Sequence, residues 1–193
     1  MIALPGRLLL LGGAAALVAL ALAVLAAAGL PLRADYSGAA LPGQAQTAPE
    51  INARAPQFDL PRADGTRLRL ADAAGAPVII NFWATWCAPC RAEMPALQRF
   101  YEAHQGAGLR VLAINTGESA AAVRAWRAEF GLTFDLLLDE RQQTAASYRL
   151  RGQPSTYIVA PDGRIAHIFY GPVFENDLAA ALAPYLPQPE SAP

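Results

Sequence analysis

The chain contains no lysine, and only two cysteines, two histidines and two methionines among 193 residues. Without lysine there is no Schiff-base chemistry and no lysine nucleophile, and all 15 cationic side chains are arginines. These arginines form no basic run, and the formal net charge is −1, which argues against a nucleic-acid partner. A structural zinc site wants four ligands. Only His104 and His167 could supplement the two thiols, and neither has a ligand-like spacing to the other or to the cysteines. Internal repeats are absent as well. What the chain has in quantity is apolar surface: 54% of its residues are hydrophobic, enough for one ordinary domain with extensions.

Part of that apolar content sits at the N-terminus. Residues Leu8 to Leu32 carry no charge and are mostly Leu, Ala, Val and Gly. About 20 such residues span a bilayer as a helix, whereas the apolar core of a signal peptide is usually shorter. Residues 1–33 therefore read as a membrane anchor. The alternative is a cleaved signal sequence, since Ala26-Ala27-Ala28 before Gly29 has the form of a small-residue cleavage site. Arg7 and the terminal amine lie on one side, and Arg33 beside Asp35 on the other, which points to N-terminus in and C-terminus out. Either way the following domain is exported, to the periplasmic side of the inner membrane, where disulfides persist.

Residues 34–54, rich in Pro, Gly, Ala, Ser, Thr and Gln, read as a flexible linker, residues 55–187 as the folded domain and 188–193 as a loose tail. The domain opens with a β-hairpin, Phe58-Asp59-Leu60 and Thr66 to Leu70 flanking Ala63-Asp64-Gly65. Val78 to Phe82 is an uninterrupted apolar run and reads as a buried strand. A helix from Cys90 to about His104 follows, with Pro95 inside it. Leu109 to Asn115 is the next strand, Glu118 to Phe130 a helix stopped at Gly131, and Asp135 to Asp139 a third central strand. A short helix over Gln142 to Leu150, a hairpin (Ser155 to Val159, Arg164 to Tyr170) and a last helix (Asn176 to Leu186) complete an α/β order. It implies a mixed sheet with helices on both faces.

The two cysteines, Cys87 and Cys90, stand two residues apart directly after the Val78 to Phe82 strand and at the opening of a helix. A Cys-x-x-Cys in this context is the sequence form of a redox-active dithiol. The unpaired N–H groups and positive dipole end of the helix favour a thiolate at its start. Cys87 is thus the candidate attacking sulfur and Cys90 the resolving one, with Pro89 suited to the helix start. A purely structural disulfide is the alternative, although so short a loop constrains the unfolded chain little.

The segment Asn81-Phe82-Trp83-Ala84-Thr85-Trp86-Cys87-Ala88-Pro89-Cys90, Pro95 five residues on, and Gly152-Gln153-Pro154-Ser155-Thr156 resemble the thioredoxin superfamily. More specifically, they are similar to the membrane-anchored thiol-disulfide oxidoreductases of the TlpA/ResA type. Asn115 to Ser119 and Pro161-Asp162-Gly163-Arg164 fit the same subgroup, and the resemblance spans roughly residues 55 to 187. It implies a thioredoxin-like fold extended by the N-terminal β-hairpin. It also implies that Pro154 is a cis-proline facing the dithiol, leaving the Gln153 backbone free to pair with an extended substrate.

Thioredoxins carry a buried Asp where this chain has Asn81, which cannot accept a proton. Glu93, three residues after Cys90 and so on the same helix face, occupies the place where the resemblance puts an acidic residue. Burial there would raise its pKa and make it a candidate general base. Glu118 reads as a helix N-terminal carboxylate of structural origin, with an approach to this region as the alternative. Trp83 is expected in the core, and Trp86 beside the sulfur, contacting partner proteins.

The implied reaction is thiol-disulfide exchange without an organic cofactor. The resemblance favours a reductase fed by an upstream membrane electron donor, with apocytochrome c or the thiols of a copper-assembly factor as targets. The rivals are a DsbA-like oxidant, from which the chain differs in lacking a long helical insertion between Pro95 and Pro154, and a Sco-like copper metallochaperone. His167 does not match the histidine position of the latter. A peroxidase would need a Thr/Cys constellation that the chain does not have.

Overall fold

The computed structural model describes residues 47–187. The expected anchor or signal sequence, most of the linker and the tail lie outside the described residues. Among the described residues no helix is long and apolar enough to cross a membrane.

A hairpin of β1 (Asp59–Pro61) and β2 (Arg67–Arg69) precedes a five-stranded sheet. The sheet comprises β3 (Val78–Trp83), β4 (Arg110–Thr116), β5 (Asp135–Asp139), β6 (Ser155–Val159) and β7 (Ile165–Tyr170) in the order β5-β4-β3-β6-β7. β3, β4 and β5 run parallel, while β6 is antiparallel to both β3 and β7. The mixed sheet thus follows from one crossover pattern and one hairpin. β3 is central and buried along its whole length, as its unbroken apolar run requires.

Alternation along β3 divides the core in two. Ile79 and Trp83 face α1 (Ala88–His104), α2 (Ala120–Phe130) and α4 (Glu175–Leu182), packing with Met94, Leu97, Phe100, Val123, Trp126, Leu178 and Leu182. Val78, Ile80 and Phe82 face the hairpin residues Leu60 and Leu68, together with Tyr148, which follows α3 (Gln143–Ser147). Asn81 shares the first face with Ile79 and Trp83, and that register aims a polar side chain at α1.

One position departs from expectation. β5 is not central but ends the sheet, because β4 alone pairs with it in the ladder. Its outer side is met by β1, through a bridge between Arg62 and Leu137 and an Arg62–Asp135 ion pair at 2.8 Å. An apolar strand at a sheet end needs such a cover, and the hairpin supplies it. Pairing also begins upstream of Ala55, since the Asn52 N–H donates to Ile165 and the Ile165 N–H donates to Ala53.

Candidate active site

β3 delivers the chain to the site. After Trp83 a turn closes with the Cys87 N–H donating to the Ala84 carbonyl at 3.2 Å, and α1 begins. Cys87 is the N-cap of α1, and its Sγ accepts the backbone N–H of Cys90 at 3.2 Å. Cys87 and Cys90 are joined as a disulfide. Cys90 is fully buried, whereas Cys87 retains 5% exposure. The Cys90 N–H and the positive helix end both point at Cys87 Sγ, which lowers the cost of a negative charge there. Pro89, at the start of the helix, is exposed, and its missing N–H removes no helical bond. Pro95 falls inside α1, which nevertheless continues to His104.

The two tryptophans part as their positions in β3 and the turn dictate. Trp83 is buried and stacks on Trp126 at 4.9 Å, while Trp86 is 74% exposed beside Cys87.

Glu93 lies one helical turn beyond Cys90 and is fully buried. Oε1 accepts from Asn81 Nδ2 at 2.8 Å, and Oε2 accepts the Val173 backbone N–H at 3.0 Å. Among the described residues no cation pairs with it. Loss of water pushes its pKa from 4.5 up to about 7, against the opposing pull of the Asn81 and Val173 hydrogen bonds. A carboxyl group balanced near neutrality, on the same helix as the buried sulfur, can take up and release a proton there. Asn81 Nδ2 also donates to Thr156 Oγ1 at 3.0 Å, so Asn81 orients the Glu93 carboxyl from the adjacent strand. Neither Thr156 nor the Val173 N–H was legible as part of this group, because both arrive from β6 and the β7–α4 loop through tertiary packing alone.

Glu118 corrects an expectation. It is not a first-turn carboxylate of α2, which starts at Ala120 with Ser119 as its N-cap. It reaches instead across to the loop before the cysteines. Its carboxylate accepts the Thr85 N–H at 2.8 Å and the Asn115 amide at 2.7 Å, and it bonds the Thr85 hydroxyl. Capping by Ser119 leaves this carboxylate free to brace Thr85, two residues before Cys87. The three-residue spacing from Asn115, at the end of β4, was the only sequence signal for it.

The Gln153–Pro154 peptide bond is cis. The Pro154 carbonyl accepts the Gly171 N–H at 2.9 Å, and Gln153 Nε2 donates to the Thr116 hydroxyl. Gln153 Oε1 is buried with no hydrogen-bond partner among the described residues. The structure brings no histidine to the cysteines. His104 ends α1, fourteen residues after Cys90, or about 21 Å at 1.5 Å per residue, and its Nδ1 meets the Phe100 carbonyl at 2.8 Å. His167 pairs with Ile158 part-way along β7, its ring against Phe169.

Comparison with known proteins agrees with this geometry. The AhpC/TSA family matches residues 51–168. The thiol-disulfide oxidoreductase ResA of Geobacillus thermodenitrificans is 35% identical over 133 residues, covering 69% of this chain and 76% of the relative. ResA of Bacillus subtilis is 34% identical over 122 residues, 63% of this chain and 68% of its own. Among solved structures, a secreted thiol-disulfide isomerase from Corynebacterium glutamicum superposes with a TM-score of 0.64 at 28% identity, covering 75% of this chain and 93% of that one. With a thioredoxin-like fold and a Cys87–Cys90 pair at the head of α1, the chain belongs to the AhpC/TSA family and is a thiol-disulfide oxidoreductase of the ResA type.

Proposed function

We propose that the protein is a reductase of protein disulfides on the periplasmic side of the inner membrane. Residues 1–33 hold it there, or direct it there if they are cleaved, and the part of the linker before Thr47 lets the domain reach its partners. Its targets are cysteine pairs of apocytochrome c awaiting haem, or the thiols of a copper-assembly factor, and an upstream membrane donor returns it to the dithiol. The observation that carries the reading is the pairing of a helix-capping Cys87 with a buried Glu93 raised to about 7, one turn beyond Cys90.

In the reaction the Cys87 thiolate attacks one sulfur of the partner disulfide, and the partner's other sulfur leaves as a thiolate. Cys90, losing its proton to Glu93, then attacks Cys87. The mixed disulfide breaks, and two electrons have passed to the partner. Trp86 and Pro89 flank the reacting sulfur, while the Gln153 backbone beside Pro154 pairs with the substrate strand.

Two measurements test this. Cys90→Ser removes the resolving sulfur, so the partner should be captured on Cys87 and recovered by cleavage of the mixed disulfide. A reduction potential near the about −270 mV of thioredoxin supports the reductase, and one near the about −120 mV of DsbA defeats it in favour of an oxidant.

A further inference from the structure

The two ends of the sheet differ. The β5 end is covered by the hairpin, with Pro61 and the Arg62–Asp135 ion pair beside it. β7, at the other end, reads Ile165-Ala166-His167-Ile168-Phe169-Tyr170. Its one ionisable imidazole, His167, lies outside the open stretch Ile168 to Tyr170, and the strand holds no carboxylate, lysine, arginine or proline. These are the residues that usually keep a sheet edge from pairing with another chain.

Half of this edge already carries an added strand. Ile165 exchanges both backbone bonds with Asn52 and Ala53, and Arg54 bridges Arg164 in antiparallel fashion. The added segment leaves the edge at Asn52, whose φ of 68° turns the chain away. The register of the remainder follows from one bond. Gly171 N–H donates to Pro154, so Ser155 and Tyr170 form a non-hydrogen-bonded pair, and so do Tyr157 and Ile168. The N–H and C=O groups of Ile168 and Tyr170 therefore point outward, and no described residue bonds them. The irregularity in the ladder, at Ile158/Val159, lies toward the end that is already covered.

We propose that the open half of β7 pairs with the same half of a second copy, antiparallel, about a two-fold axis through Phe169. The free groups fix this register. Ile168 of one copy falls opposite Tyr170 of the other, and each such pair exchanges both backbone bonds. The pairing is isologous and stops short of the segment at residues 52–54. It places Tyr170, 62% exposed, against the partner's Ile168 and sets the two half-buried Phe169 rings across the axis, aromatic and aliphatic pairs of the kind that stabilise sheets. Self-pairing suits the stretch Ile168-Phe169-Tyr170 in particular, which carries no acidic or basic side chain, because symmetry would set any charge near the axis close to its own copy.

The test uses the full chain in detergent micelles. Tyr170→Lys puts a cation on an exposed position of the free edge, and a second variant carries the photo-cross-linker p-benzoylphenylalanine in place of Tyr170. Sedimentation velocity should give a dimer for the parent chain and loss of that dimer for Tyr170→Lys, with unchanged circular dichroism. Cross-links should map to residues 166–170 of the other copy. A parent chain that stays monomeric at its highest soluble concentration overturns the proposal. So does a dimer that survives Tyr170→Lys, or one whose cross-links fall elsewhere, as they would if the N-terminal segment held the copies together.

Discussion

Glu93→Gln separates the cost of burying a charge from the work that charge does. In the folded protein the Glu93 pKa stands at about 7, against 4.5 for an ordinary glutamate. At about 1.4 kcal/mol per unit, that difference amounts to roughly 3 kcal/mol, and no allowance for surface screening applies because the residue is fully buried. The sign follows from the direction of the shift. A carboxyl whose folded pKa is raised gives its full stability below pH 4.5, where it is protonated in both states, and loses it as pH rises through about 7. Oxidised parent protein should thus lose roughly 3 kcal/mol of this contribution between pH 4.5 and 8, and the glutamine variant none of it. Urea unfolding of both proteins across that range reads the difference directly. At each pH the comparison cancels every titration they share, including that of the unfolded carboxylates elsewhere. In turnover, the variant should exchange disulfides about 100-fold more slowly near neutral pH, and the rise of rate toward pH 7 should disappear. Stability curves that run parallel within about 1 kcal/mol would refute the burial argument. An unchanged rate profile with diverging stability curves would refute the base assignment alone.

Other perturbations probe the supports of the site. Asn81→Asp sets a second carboxylate where an amide now donates to Glu93 at 2.8 Å. The pair should hold one proton to higher pH, and the fall in stability that begins near pH 4.5 should extend above about 7. Glu118→Ala leaves the Thr85 N–H and the Asn115 amide without their acceptor. It should cost about 1–3 kcal/mol in urea unfolding and slow alkylation of the reduced Cys87 by loosening the turn before it. Leu97→Ala, at a fully buried position of α1, should cost about 2–5 kcal/mol, read as a lower urea midpoint with unchanged slope.

Sequence alone determined what depends on near neighbours. The apolar run of β3, the Cys87-x-x-Cys90 spacing, the left-handed glycine that ends α2 at Gly131 and the Asp-Gly turns are each set within a few residues, so their elements were legible. The separation of Trp83 from Trp86 was legible for the same reason, since one lies in the strand and the other in the turn. Tertiary structure decided whatever two distant segments make together. β5 lies at the sheet end because strand order depends on crossovers, and a buried apolar strand has the same sequence whether a strand or a hairpin covers it. For Glu118 the helix-start reading is the local expectation and an approach to the site was its alternative; packing decides for the alternative by carrying it across to Thr85. Glu93 could be nominated from its helix face. Its neutral-range proton affinity comes from a place enclosed by Asn81 of β3 and the Val173 N–H after β7, which remove water without supplying a countercharge.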